Sequence, residues 1–208
     1  MKILLVDDSR TMRNIQKNVL KVLDNPEFTE AGDGNEALKV IQHQPLDVVL
    51  LDITMPNKNG MDVLKELRAR MPRLPVLVLS MHAEEQYAVR VLRAGASGYL
   101  TKESAPEKLI QAIRQVVRGG KYVSSAVAEK LVYQLDSDTS KPAHESLSDR
   151  EYQVMCMIGS GKTVTDIAAE LSLSVKTVST YRVRILEKLN MKNNAEVARY
   201  AIKEGLVD

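Results

Sequence analysis

The 208-residue chain is 44% apolar and 27% charged, with a formal net charge of +2, a balance that suits a soluble globular protein and excludes fibrous and disordered classes. Its one cysteine, Cys156, rules out an intrachain disulfide and fits a reducing, cytoplasmic setting. No apolar run approaches the roughly 20 residues of a membrane span, and the opening MKILLV meets Asp7 and Asp8 too early for a secretory signal, so no membrane partner is expected.

From the first residues onward, short β-rich runs alternate with helical patterns. ILLV precedes a helical stretch over 11–23, FTEA one over 35–41, VVLLD one over 61–70, VLVLS one over 84–94 and GYLT one over 106–117. Strict alternation predicts five parallel strands wound with helices on both faces. ILLV, VVLL and VLVL are nearly unbroken apolar runs, as strands covered on both sides must be. After Ser124 the pattern changes to a short helix through Leu135 and then to DSDTSKPAHES, a polar, proline-containing linker without periodicity. Beyond it, capping signals at Ser148, Thr163, Ser174 and Asn194 introduce three or four short helices with no strand between them. The expected organisation is an α/β domain over 1–120, a linker with a short helix over 121–145 and a small all-helical domain over 146–208.

In an open parallel sheet, chemistry gathers beyond the carboxyl ends of the strands. Here Asp7 and Asp8 end the first strand, Asp52 the third and Ser80 the fourth, while Lys102 follows the fifth. Any one of these could be a turn former, but five at four strand ends describe a site. Three crowded carboxylates repel one another unless a cation shares them, and a hard, oxygen-preferring Mg²⁺ does so while leaving positions for water and a phosphoryl group. Asp52 can then attack phosphorus, with Lys102 and Ser80 stabilising charge on the phosphoryl oxygens.

The stretch Gly159-Ser160-Gly161-Lys162-Thr163 imitates the end of a nucleotide-binding phosphate loop, but the position that should carry the first glycine is Cys156. Nor does a strand precede it. Ser148 and Glu151 form a capping box, with Tyr152, Met155 and Ile158 following at helical spacing, so the glycines read as a helix stop and turn. Further on, Lys176, Arg182, Arg184, Lys188 and Lys192 face only Glu187 between residues 171 and 194, a local basic excess suited to a phosphate backbone.

LLVDDS, LLDITMPNKNG, VLVLS and GYLTK, in that order and spacing, resemble the receiver domain of two-component response regulators, a flavodoxin-like doubly wound α/β fold. The resemblance covers residues 1 to about 120. It implies that Asp52 accepts a phosphoryl group from a sensor histidine kinase, that Asp8, Asp52 and the Thr54 carbonyl bind Mg²⁺ directly, and that Asp7 helps through water. It further implies that Ser80 and Tyr99 switch on phosphorylation, Tyr99 turning from solvent toward the sheet. Phosphatases of the haloacid dehalogenase type also use a strand-end Asp, but they need a second Asp two residues on, where this chain has Thr54. A slow timer is expected instead of an enzyme, with Thr54 and His82 flanking the approach of hydrolytic water. Ser9-Arg10-Thr11-Met12-Arg13 is similar to single-domain chemotaxis receivers, and Glu103 stands where other receivers often have proline.

LSDREYQVMCMIGSGKTVTDIAAELSLSVKTVSTYRVRILEKLN resembles the LuxR-type helix-turn-helix, and the whole chain resembles the NarL/FixJ family. The recognition helix would run from Val175 to about Leu189, burying Val178, Tyr181, Ile185 and Leu189 and presenting Lys176, Ser179, Thr180 and Val183 on the opposite side. In a major groove, Thr180 and Val183 could meet thymine methyls while Lys176, Arg182, Arg184 and Lys188 neutralise phosphates. The family implies a transcriptional regulator that binds promoter DNA as a homodimer when phosphorylated. Its final helix, about residues 195–202, would contribute a dimer contact, and RNA polymerase is a further candidate partner. The alternative is a receiver-controlled protein-interaction module without specific DNA binding.

Overall fold

The structure, a computed structural model, describes all residues except 56–57, 82–83, 137–141 and 208, and the side chains of 84–86, 130 and 133–136 are likewise left aside. His82, expected beside the phosphoryl site, therefore lies outside the described residues.

The first unit is a five-stranded, all-parallel sheet in the order β2-β1-β3-β4-β5, built from β1 (Lys2–Val6), β2 (Glu27–Ala31), β3 (Val48–Asp52), β4 (Val76–Ser80) and β5 (Gly98–Thr101). The crossovers are α1 (Arg10–Leu20), α2 (Gly34–His43), α3 (Gly60–Arg70) and α4 (Glu84–Arg93), and α5 (Pro106–Val117) closes the unit. Strands β3 and β4 are buried along their whole length and β1 is buried after Lys2, which accounts for their unbroken apolar runs; the edge strand β2 is only partly covered.

Side-chain alternation assigns the two faces. Ile3, Leu5, Val48, Leu50, Leu77, Leu79 and Leu100 form one core with Leu20, Leu109, Ala112, Ile113 and Val116 of α1 and α5. Continued by two residues, the same alternation carries Asp7, Asp52 and Lys102 beyond this core. Val78, Ser80 and Tyr99 belong to the opposite face, where α4 packs on β5. β1 has β2 on one side and β3 on the other, so the crossovers leave it in opposite directions and a crevice opens beyond the ends of β1 and β3.

The second unit is all-helical among its described residues: a 3-10 turn at Ala143–Ser146, then α7 (Asp149–Gly159), α8 (Val164–Glu170), α9 (Val175–Lys188) and α10 (Asn194–Lys203). The helix α6 (Ser125–Asp136) precedes them, and the division into two compact units falls inside it, between Leu131 and Val132. Ser148 and Thr163 each close a reciprocal capping box, with Glu151 and Asp166 respectively, and Ser174 caps α9. The fourth expected cap is corrected by one residue. Asn193, in extended conformation, accepts from Glu196 N, while Asn194 is already the first helical residue.

GSGKT is a turn between helices. Gly161 adopts φ +83°, Gly161 N donates to Ile158 O and Lys162 N to Met157 O, which terminates α7. Gly159 lets α7 approach α10: a Cβ there would lie 2.8 Å from that of Ala201.

Candidate functional site

The loops after β1, β3 and β5 bring a lysine and three carboxylates together. Lys102 Nζ lies 2.8 Å from Asp7 Oδ2 and 2.8 Å from Asp52 Oδ2, and all three side chains are almost wholly buried. Carboxylate oxygens of Asp7, Asp8 and Asp52 fall within 4.8 Å of one another, and Asp8 is the solvent-exposed member. Backbone groups fix the orientations. Ser9 N donates to Asp7 Oδ1 at 2.9 Å and Thr54 N to Asp52 Oδ1 at 3.0 Å. Lys102 N donates to the Ser80 carbonyl at 2.8 Å, tying the β5 loop to the end of β4. Ser80 is itself fully buried and follows Leu79, the register partner of Asp52.

Electrostatics make Asp52 reactive toward an electrophile and dependent on a cation. Burial pushes its carboxyl up, the Lys102 ammonium pulls it part of the way back, Asp7 raises it further, and the result is a pKa of about 6. Burial depresses the Lys102 ammonium, but Asp52 and Asp7 outweigh that and hold it above its ordinary value. One lysine thus serves two buried carboxylates, with Asp8 adding further negative charge at the rim. An all-oxygen donor set with a surplus of negative charge fits a hard divalent cation such as Mg²⁺.

The start of α3 is wedged against the site. Asn59 is buried and caps the helix through Asp62 N, and Gly60 N donates to Ile53 O at 3.0 Å. A Cβ on Gly60 would stand 2.0 Å from Asp52 O, so only glycine allows this close approach.

Tyr99 departs from expectation. It is 1% exposed, already turned into the face that α4 covers, so an outward-facing starting position is corrected. The alternation that sends Leu100 into the α1/α5 core sends Tyr99 the other way, onto the side where Tyr87, Ala88 and Val91 are buried. Position by position, the strand-end residues were legible in the sequence, whereas Gln16 and Arg13 were not singled out. Arg13 Nη1 donates to Asp7 O at 2.5 Å while its Nε pairs with Glu30, and Gln16 reaches toward Asp7 from the inward face of α1. A glutamine in an apolar stripe was the available signal.

On the helical unit, α9 buries Val178, Ile185 and Leu189, but Tyr181 is only half-buried. Tyr181 lines a groove of about 310 Å³ with Ser174, Lys176, Thr177, Thr180 and Arg184. Lys176, Thr180, Val183 and Arg184 are exposed and Ser179 is half-buried. The Thr180 hydroxyl donates back to Lys176 O. Two of the cations have partners within the unit. Arg182 Nε donates to Asn194 Oδ1 at 2.6 Å, and Lys188 Nζ lies 2.6 Å from Glu151 Oε2, a carboxylate that is 3% exposed. Neither pairing could be read from one helix, because each depends on a neighbouring helix: Asn194 lies on α10 and Glu151 on α7.

Comparison with known proteins agrees with this arrangement. Residues 3–114 match the response regulator receiver domain, and residues 145–201 match the bacterial regulatory proteins of the luxR family. The response regulator UvrY of Escherichia coli K12 is 34% identical over 206 residues, covering 98% of this chain and 94% of that protein. The response regulator GacA of Pseudomonas aeruginosa is 35% identical over all of this chain and 98% of its own length. The oxygen regulatory protein NreC of Staphylococcus carnosus is 36% identical over the full length of both. Among solved structures, RcsB of Salmonella enterica serovar Typhimurium, bound to promoter rprA in the presence of phosphomimetic BeF₃⁻, shares the fold with a TM-score of 0.63 at 22% identity, covering 96% of this chain and 97% of that one. A receiver whose strand ends gather three aspartates and a lysine, followed by a LuxR-type helix-turn-helix, makes this chain a two-component response regulator of the NarL/FixJ family, a DNA-binding transcription regulator.

Proposed function

We propose that this regulator is controlled by phosphorylation of Asp52 by a sensor histidine kinase, and that the phosphorylated chain pairs to bind promoter DNA. The observation that carries the reading is the Lys102 ammonium, 2.8 Å from both Asp7 and Asp52 at the edge of the carboxylate cluster. Asp8, Asp52 and the Thr54 carbonyl would hold Mg²⁺, with Asp7 acting through water. The ion supplies charge neutralisation and orientation for phosphoryl transfer. Asp52 is the nucleophile: its carboxylate oxygen forms a bond to phosphorus as the bond to the donor breaks, and Thr54 N restrains the other oxygen. Lys102 follows the negative charge onto the phosphoryl oxygens, and Ser80 supplies a hydroxyl to them. With Thr54 where a phosphatase would need an acid, loss of the phosphoryl group is slow, so the chain is a timer and not a turnover enzyme.

On the helical unit, Thr180 and Val183 read base edges, with Ser179 beside them, while Lys176 and Arg184 contact phosphates. Arg182 and Lys188 contribute to the basic field from positions already braced by Asn194 and Glu151. The division into a receiver over 1–120, a linker over 121–145 and a DNA-binding domain over 146–208, and a cytoplasmic setting with RNA polymerase as a downstream partner, belong to the same reading.

Acetyl phosphate with Mg²⁺ should add one phosphoryl group to the wild type and none to Asp52→Asn, as read by intact mass spectrometry. The same samples should shift toward dimer in sedimentation and bind a two-half-site duplex more tightly, with strong salt dependence. Undiminished labelling of Asp52→Asn would refute the phosphoacceptor, and binding indifferent to DNA sequence would favour the protein-interaction module.

A further inference from the structure

Gln16 is the polar exception on the inward face of α1. It is 6% exposed, and its Nε2 lies 3.5 Å from Asp7 Oδ2, the outer limit of a hydrogen bond. Its Oε1 is closed off from solvent and has no partner among the described residues. Such a residue costs the fold, because a buried amide with one long bond and one orphaned oxygen has given up water for little in return. Its neighbours Leu20 and Leu23 show what the position would hold if packing alone decided.

Asp7 explains what the amide could do. Its Oδ1 is held by Ser9 N at 2.9 Å, and its Oδ2 depends on Lys102 Nζ at 2.8 Å, the same ammonium that serves Asp52. Attaching a phosphoryl group to Asp52 moves negative charge from the carboxyl to the phosphoryl oxygens, and a flexible ammonium follows the charge. Asp7 Oδ2, buried and charged, is then short of a donor, and the amide of Gln16 is at the threshold of bonding distance. We propose that Gln16 is a reserve donor for Asp7: its Nε2 closes on Asp7 Oδ2 when Lys102 turns to the phosphoryl group, so that it stabilises the phosphorylated state at the expense of the unphosphorylated one. It is a positioning residue, acting through Asp7, and the inference rests on Asp52 being the phosphoacceptor.

Gln16→Met separates this role from a structural one, because it keeps the shape of the side chain and removes both polar atoms. Full-length wild type, Gln16→Met and Asp52→Asn are titrated with beryllofluoride and Mg²⁺, following the bound species by ¹⁹F NMR, and each metal-free protein is melted. Gln16→Met should melt at or above the wild-type temperature yet bind beryllofluoride about tenfold more weakly, the effect of one hydrogen bond to a charged group. In wild type, one glutamine side-chain NH₂ resonance, identified by its absence from Gln16→Met, should move on binding. Affinity within about twofold of wild type overturns the inference, and so does a lowered melting temperature, which would make Gln16 a packing residue. Should wild type bind no beryllofluoride, or Asp52→Asn retain it, the phosphoacceptor reading fails first and takes the inference with it.

Discussion

Replacing Lys188 with Met asks whether a cation on the recognition helix serves DNA or the fold. In the structure its ammonium is 2.6 Å from Glu151 Oε2, and the same carboxylate oxygen accepts from Ser148 N at 2.8 Å in the capping box of α7. The Glu151 side chain is 3% exposed and that of Lys188 is 40% exposed. Breaking a fully buried pair costs about 3–5 kcal/mol, whereas fully exposed pairs contribute about 0–1 kcal/mol. With one end open to solvent and one cap bond remaining, the expected loss is about 1–3 kcal/mol, confined to the helical unit. Burial raises the Glu151 carboxyl, but Lys188 and Ser148 override it and hold the group below its ordinary value. Its folded-state pKa is therefore depressed. The stabilisation is complete above the ordinary value of 4.5 and is lost as the pH falls through the lower, folded-state value.

Hydrogen exchange of the full chain, read in peptides from α7 and α9, measures this locally without assuming that both units melt together. Protection should fall by roughly 5- to 150-fold in Lys188→Met at pH 7, the ratio equivalent to that free energy. The loss should be much smaller when Glu151→Gln is already present, since the amide needs no counter-charge. DNA affinity should drop modestly with little change in salt slope. Unchanged protection together with a salt slope reduced by about one would refute the argument, because it would make Lys188 a phosphate contact and the ion pair incidental.

Two further outcomes are expected. In metal-free protein, Asp52→Asn should raise the stability of the receiver by about 1–3 kcal/mol at pH 7.5. The folded-state pKa is raised to about 6, so charging Asp52 costs the fold as pH rises from 3.8 through that value, and the gain should vanish toward acid. Thermal melts across pH check it, and a gain that does not depend on pH would exclude charge as the cause. For DNA, Thr180→Ala and Val183→Ala should lower the ratio of specific to nonspecific affinity by about 1–3 kcal/mol of discrimination at the affected base pairs, leaving binding to random duplex unchanged. Equal losses on both duplexes would place the base-reading face elsewhere.

What was legible in the sequence is what local periodicity and termini dictate. Unbroken apolar runs of four or five residues marked the strands buried on both faces, and strand ends occupied by Asp7, Asp8, Asp52, Ser80 and Lys102 marked where chemistry could gather, because a parallel sheet places those ends on one edge. Ser148, Thr163 and Ser174 announced their helices because a cap is satisfied within four residues of itself. Asn193 was missed for its neighbour because two asparagines offer the same chemistry, and only the backbone dihedrals choose between them. The remainder depends on groups distant in sequence that packing brings within 3 Å. Lys102 and Asp52 are 50 residues apart, and Lys188 and Glu151 are 37 apart. No period encodes which ammonium meets which carboxylate. Tyr99 sits inward because α4 covers its face of the sheet, and Gly60 is required because the start of α3 presses on the Asp52 carbonyl. Gln16 stands out as a misfit in its stripe, but that its amide reaches toward Asp7 follows only from where α1 lies on the sheet. Periodicity reports which face of an element is covered; which side chains meet across that face is set by the packing of elements far apart in the chain, and the pairings at both sites are of that kind.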